Sequence, residues 1–310
     1  MFRENFDGFL NEVTKRIPDG SIFRDAPLSN FSTYRVGGSA ALLLRIEDPS
    51  VFSIILKGLK KFPLPILLIG NGSNLLISDD GFEGIVLKLG NSFEAIEIED
   101  GVVKAGAAAK LPVVARETVK FGLSGFEWAV GVPGTVGGAV RMNAGGHGSD
   151  IATSLIHATI LNLLNGSLSN VSAAALDFSY RYSCIKSTDL VLDATFEFIQ
   201  GDKDESKRVL NEIVRWRRDN QPGGQNSGSV FTNPAGDSAG RLIETAGLKG
   251  TRIGSACISE KHANFIQVDE GGSAEDVRKL MSLVAEKVKD FHSITLAPET
   301  VLVGFNGDPS

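Results

Sequence analysis

The sequence predicts an α+β protein of more than one structural unit, and three observations carry that reading. Short apolar runs bounded by Gly, Pro and Asp alternate with stripes of helical period, which argues for strands and amphipathic helices in mixed order. A hairpin signal after the first ninety residues opens a second set of strands. The 35 glycines are also concentrated in a few loops.

With 310 residues and 42% hydrophobic content the chain buries a sizeable core, and its length favours two or three domains. A formal charge of −6 from mixed signs provides no basic field for nucleic acid or an anionic membrane, so a small-molecule partner fits better. Cys184 and Cys257 make neither a disulfide framework nor a zinc site, and both are expected to be reduced core residues. The first twenty residues lack the apolar run of a signal peptide, and no segment approaches a membrane-spanning length, so a cytoplasmic protein is expected.

Taken in chain order, ALLLRIE (41–47), PILLIG (65–70) and GIVLKL (84–89) read as buried strands. Between the first two, Asp48-Pro49 is a cap followed by proline at the first helical position, and Val51, Phe52, Ile55, Leu56 and Leu59 repeat at helical spacing, predicting a helix near 49–61. In AIEIEDGVVKAG (95–106), Asp100-Gly101 separates two strand-like runs, because glycine accepts the positive φ of a tight turn. A helix over 110–121, stopped by Gly122, and strands near 156–163 and 190–199 follow. GDKDES (201–206) reads as a polar linker. Ser273 and Asp276 resemble a capping box opening a helix whose Val277, Leu280, Met281, Val284 and Val288 form one apolar stripe for the last unit's sheet. Trp128 and Trp216 are expected in the core. The domain expectation is 1–92, 93–203 and 204–310.

Three glycine-bearing loops interrupt these elements: YRVGGSA (34–40), IGNGSNLL (69–76) and GVPGTVGGAVRMNAGGHG (131–148). Without Cβ, backbone N–H groups can approach an anion together, so GNGSN can form a nest for a pyrophosphate, with Ser73 and Asn74 adding donors. The dinucleotide-binding GxGxxG is absent after the first strand, which excludes the doubly wound architecture that uses it.

At these residues the chain resembles the UDP-N-acetylenolpyruvoylglucosamine reductase family, whose fold is similar to that of vanillyl-alcohol-oxidase-type flavoenzymes. The resemblance runs from about Asn30 to Val303 and rests on an ordered series: NFSTYRVGG, GNGSNLL, GVPGTVGGAVRMNAG, FSYRYS, GSVFTNP, AGLKGTRIG, SEKHANFI and APE. It implies a two-subdomain FAD-binding fold followed by a C-terminal α+β substrate-binding domain. Also implied are noncovalent FAD, NADPH as co-substrate, UDP-N-acetylglucosamine-enolpyruvate as substrate, and a monomer. KHANFI in place of an extra substrate-covering loop marks the shorter form of the family.

The family's catalytic Arg, Ser and Glu match Arg181, Ser229 and Glu299. Its cofactor contacts correspond to Tyr34, Arg35, Gly37, Gly70, Asn71, Gly72, Ser73, Asn74, Gly131, Gly134, Thr135, Gly137, Gly138 and Asn143. Substrate contacts implied are Tyr180, Asn233, His262 and Asn264. One departure is Thr232, where the family usually has a basic residue, so anion contacts are expected to shift to Arg217, Arg218 or Lys261.

The residue types suit the chemistry. Hydride delivery to an enolpyruvyl ether leaves negative charge on the adjacent carbon and its carboxylate, which needs preplaced donors. Arg181 can hold that carboxylate with two parallel N–H groups. Glu299 stabilises the enolate, as a protonated donor or by orienting Arg181, and Ser229 gives the proton. A sugar or alcohol oxidase of the same fold and a noncatalytic nucleotide-binding module are the rival readings; retention of all three side chains argues against the module.

Overall fold

Asp48 accepts the Ser50 N–H at 2.8 Å, Pro49 opens a single turn of 3₁₀ helix, and the Phe52–Lys61 helix continues from it. Sequence and structure agree here because the cap and the apolar stripe of Phe52, Ile55 and Leu59 act together. The computed structural model describes residues 2–305.

The chain divides into two interleaved units. One takes residues up to 25, 41–70 and 84–215; the other takes 26–40, 71–83 and 216 onward. In the first unit Ile66–Leu68 runs parallel to Ile85–Leu87, beside the Ser39–Ile46 strand. This sheet and the Phe2–Val13 and Phe52–Lys61 helices bury Phe9, Leu42, Leu44, Ile55 and Ile85. A second, five-stranded antiparallel sheet is ordered Leu168–Ser172, Leu155–Asn162, Asp189–Glu197, Val102–Gly106, Ile96–Glu99. Its hairpin turns where expected, with φ of 47° at Asp100 and 84° at Gly101. The Leu111–Lys120 helix ends at Gly122, whose φ of 76° is the left-handed stop glycine tolerates.

In the second unit a three-stranded sheet of Arg252–Ile253, Ala256–Ile258 and Ile266–Val268 lies under the Ala274–His292 helix. Val277, Leu280, Met281, Val284 and Val288 are all buried there, as the stripe requires. Val301–Val303 pairs in parallel with Leu75–Ile77.

Several expectations are corrected. The 201–206 stretch is the start of the Lys203–Asn220 helix: Asp202 accepts the N–H groups of Asp204 and Glu205 at 2.9 and 3.0 Å, so its acidic residues are a capped first turn. Only half of the expected capping box forms, because Ser273 accepts the Glu275 and Asp276 N–H groups while the Asp276 carboxylate turns to the N–H and hydroxyl of Ser255, both at 2.8 Å. Cys184 is exposed and Cys257 partly buried, and Trp216 is 46% exposed whereas Trp128 is in the core.

A second cap was not foreseen. Asp79 receives hydrogen bonds from the Ser273 hydroxyl (2.6 Å) and the Ala274 and Glu275 N–H groups (2.9 and 3.1 Å), which places a carboxylate on the positive end of the 19-residue helix. Asp79→Ala should therefore lower unfolding stability by about 1–2 kcal/mol in chemical denaturation followed by circular dichroism.

Candidate active site

In the second unit the stretches carrying Ser229 and Glu299 lie side by side. The Val230 carbonyl accepts the Glu299 N–H at 2.8 Å, the Thr232 N–H donates to the Ala297 carbonyl at 2.9 Å, and Phe231 stands opposite Pro298 in an antiparallel bridge. Residues 230–232 and 297–299 thus form a short ladder with Ser229 just before it and Glu299 within it. Both side chains are half-buried. Two residues separated by 70 positions in sequence are set in one register by three backbone contacts.

The glycine-rich GNGSN loop reaches the same ladder. Asn74 donates from its side-chain amide to the Glu299 carbonyl at 3.0 Å, and its own carbonyl accepts the Val301 N–H at 3.0 Å. Gly72 has a φ of 59°, and a Cβ there would sit 2.1 Å from the Phe31 carbonyl oxygen, so only glycine fits. Its carbonyl accepts the Thr33 N–H at 3.2 Å, which ties the loop to FSTYRVGG. Within that segment Tyr34 is wholly buried in the second unit's core, with Ser227 as its polar neighbour, and burial pushes its phenol up to about 12. Arg35 is exposed at a φ of 55°, and Gly37, at 106°, packs on the Ile77 backbone.

The remaining members of this group differ in kind. Asn233 accepts the Ala239 N–H at 3.0 Å and so braces the Ala239–Thr245 helix. His262 packs edge-on against Phe265 with ring centroids 4.8 Å apart, and desolvation pulls its pKa below the ordinary imidazole range. Asn264 is 3% exposed; its amide is paired with both the N–H and the C=O of Phe231. Thr232 hydrogen-bonds the Ala297 carbonyl at 3.2 Å through its hydroxyl. Of the cations named as its substitutes, Lys261 is tied to the Arg218 carbonyl, and Arg217 is half-buried against the neutral Gln221 at 2.7 Å.

Arg181 belongs to the first unit. Ser179 and Tyr182 exchange two backbone hydrogen bonds of 3.1 Å, making Tyr180-Arg181 the tip of a tight turn, and Arg181 adopts a φ of 59°. A left-handed non-glycine residue costs roughly 1–2 kcal/mol, and such strain clusters at working sites. The guanidinium lies 4.9 Å from the Tyr180 ring centroid and donates to the Gly145 carbonyl at 2.9 Å. Reciprocally, Asn143 donates to the Ser179 carbonyl at 2.9 Å and accepts the Ala152 N–H at 3.0 Å. The MNAG turn and the FSYRYS turn therefore clasp each other, with Asn143 itself left-handed at a φ of 42°.

Beside this clasp, Thr135 caps the Val136–Met142 helix and Gly134 takes a φ of 147°. A Cβ on Gly70 would stand 2.5 Å from the Thr135 hydroxyl, and one on Gly137 would meet Ala107 at 3.0 Å. A Cβ on Gly138 would stand 3.7 Å from the Thr135 hydroxyl, an ordinary contact, and the Gly138 N–H donates to that hydroxyl at 3.5 Å as the cap bond of the helix. Gly131 ends the short 3₁₀ turn that leads in. Lys88, foreseen by no motif, donates to the Gly70 carbonyl, and burial lowers its pKa. Its signal was a lone cation in the otherwise apolar GIVLKL run (84–89).

Residues 40–172 match the family described as FAD binding domain, and residues 220–303 match UDP-N-acetylenolpyruvoylglucosamine reductase, C-terminal domain. The chain is 42% identical to the UDP-N-acetylenolpyruvoylglucosamine reductase of Synechococcus sp. WH7803 over 92% of this chain and 94% of that one. It is 36% identical to the Bacillus pumilus enzyme of the same name over 92% and 95%. Among solved structures, the UDP-N-acetylenolpyruvylglucosamine reductase of Thermus caldophilus superposes with a TM-score of 0.77 at 32% identity, covering 91% of this chain and 98% of that chain. The FAD-binding α+β fold expected from the sequence holds.

The residues fit such a flavin. In the first unit Gly70 leaves no room for a side chain beside Thr135, and the half-buried Lys88 ammonium that donates to the Gly70 carbonyl is a cation of the kind a pyrophosphate takes. Gly72→Ala should cost more than about 1 kcal/mol of stability and lower the flavin-to-protein absorbance ratio of the purified protein.

Proposed function

The chain belongs to the UDP-N-acetylenolpyruvoylglucosamine reductase family, and from that premise we propose that it reduces the enolpyruvyl ether of UDP-N-acetylglucosamine-enolpyruvate to UDP-N-acetylmuramate for peptidoglycan synthesis. FAD and NADPH are its cofactor and co-substrate. The observation that carries the residue assignment is the 230–232 and 297–299 ladder, which puts a hydroxyl and a carboxyl on adjoining strands.

Segments 1–92 and 93–203 would carry the flavin and 204–310 the sugar nucleotide. The residues that would hold FAD are Gly70 to Asn74, Gly131 to Gly138 through their backbone groups, and the 34–37 stretch; when bound and reduced by NADPH, it supplies the hydride. Tyr180, Asn233 and His262 would contact the substrate. Arg217 takes the place of the basic residue lost at Thr232, because its half-buried guanidinium is held by the neutral Gln221 amide and retains a positive charge for an anion.

Arg181 holds the substrate carboxylate through its forked donors and faces the charge that builds there during reduction. The strained turn and its clasp to Gly145 keep that fork from relaxing, so little reorganisation is needed when charge develops. Glu299 is assigned to stabilising the enolate. Ser229 gives its hydroxyl proton to the carbanion carbon and regains one from water. We further propose that the protein acts in the cytoplasm as a monomer with noncovalently held flavin; among the described residues no helix is long and apolar enough to cross a membrane.

Ser229→Ala separates the two half-reactions. Flavin reduction by NADPH should stay near the wild-type rate, while reoxidation by the enolpyruvyl sugar nucleotide should slow by about 10²–10⁴-fold in anaerobic stopped flow. Equal losses in both would contradict the role given to Ser229.

A further inference from the structure

The Asn264 side chain is engaged inside the protein. Asn264 is 3% exposed: the Phe231 N–H donates to its amide oxygen at 3.0 Å and its amide N–H₂ donates to the Phe231 carbonyl at 2.8 Å. Its main-chain carbonyl accepts the Val230 N–H at 2.9 Å. A primary amide bonded to both the N–H and the C=O of one residue imitates the peptide of a neighbouring strand. Residues 230–232 are therefore held on both edges, by Asn264 on one and by 297–299 on the other.

Just upstream, Ser227 and Thr300 place their buried hydroxyls 3.4 Å apart, flanking Ser229 and Glu299 in the two stretches. The wholly buried Tyr34 phenol neighbours Ser227. A strand advances about 3.3 Å per residue and turns its side chains over at each step, so a slip of one position would shift the Ser229 hydroxyl along the Glu299 strand and aim it at the opposite face.

Resting on the reductase reading above, we infer that Asn264 is a positioning residue that fixes the register of the Ser229 strand against the Glu299 strand, and that it governs proton delivery rather than substrate affinity. Leucine has nearly the size of asparagine and neither hydrogen bond. Aspartate keeps the acceptor for the Phe231 N–H, and regains a donor for the Phe231 carbonyl only when protonated.

The test uses the full-length flavin-loaded protein in anaerobic stopped flow. For Asn264→Leu, flavin content, the rate of reduction by NADPH and the Kd for the enolpyruvyl sugar nucleotide should stay within about threefold of wild type, while reoxidation at saturating sugar nucleotide should slow about 100-fold, the cost of a misplacement near 1 Å. A weakened Kd with an unchanged saturating rate would make Asn264 a substrate ligand and overturn the inference. Parallel decay of flavin content and both half-reactions would reduce it to a stability residue and overturn it equally. Should the leucine variant not fold, Asn264→Asp decides: its reoxidation rate relative to wild type must rise as pH falls and the carboxyl gains its proton, and a flat ratio overturns the inference. Wild-type protein that NADPH reduces but the sugar nucleotide never reoxidises would overturn the reductase reading and this assignment together, whereas a normal wild type with a contrary variant overturns the assignment alone.

Discussion

The chemistry assigned to the second unit depends on a ladder of three residues against three. Phe231 stands opposite Pro298 while the groups of Val230 and Thr232 bond to Glu299 and Ala297, and that register places Ser229 and Glu299 on neighbouring strands. A ladder this short has little intrinsic persistence, because few backbone bonds offset the entropy of ordering two segments far apart in sequence. Buried side chains make up the difference. Asn264 closes the free edge of Phe231, and Asn74 reaches the Glu299 carbonyl from the glycine loop. Asn74 of the glycine loop and the Val230 backbone next to Ser229 thereby meet at the Glu299 peptide.

The first unit solves a parallel problem differently. Arg181, to which the carboxylate-binding fork is assigned, has its backbone in a conformation that costs energy for any residue with a Cβ. What sustains it is the exchange between two turns, Arg181 to the Gly145 carbonyl and Asn143 to the Ser179 carbonyl, each at 2.9 Å. A relaxed arginine on a regular strand would save that strain and lose the preorganisation that the proposed role calls for. Strained turn and strapped ladder are both cases in which local stability yields to the placement of one side chain.

Much of this was legible in the sequence. Helices with caps and unbroken stripes, such as Phe52–Lys61 and Ala274–His292, were readable because burial and local propensity agree. The hairpin at Asp100-Gly101 was readable because its turn demands a glycine. What escaped was anything decided by a partner distant in the chain. Asn143 and Asn264 look like ligands in a string of polar and glycine residues, yet their side chains are occupied by Ser179, Ala152 and Phe231. Asp79 lies 194 positions from the hydroxyl it binds, so no window on the sequence could reveal that cap. The polar GDKDES stretch (201–206) reads as a linker, although carboxylates such as its Asp204 and Glu205 are what a helix N-terminus attracts.

The most direct test of the account is the crystal structure of the flavin-loaded protein with the enolpyruvyl sugar nucleotide bound. The account predicts the Ser229 hydroxyl and the Glu299 carboxyl side by side against the enolpyruvyl carbons, with the Asn264 amide still paired to Phe231 and out of reach of the ligand. A bound substrate that touches the Asn264 side chain, or that leaves Ser229 or Glu299 turned away from its reacting carbons, would contradict it.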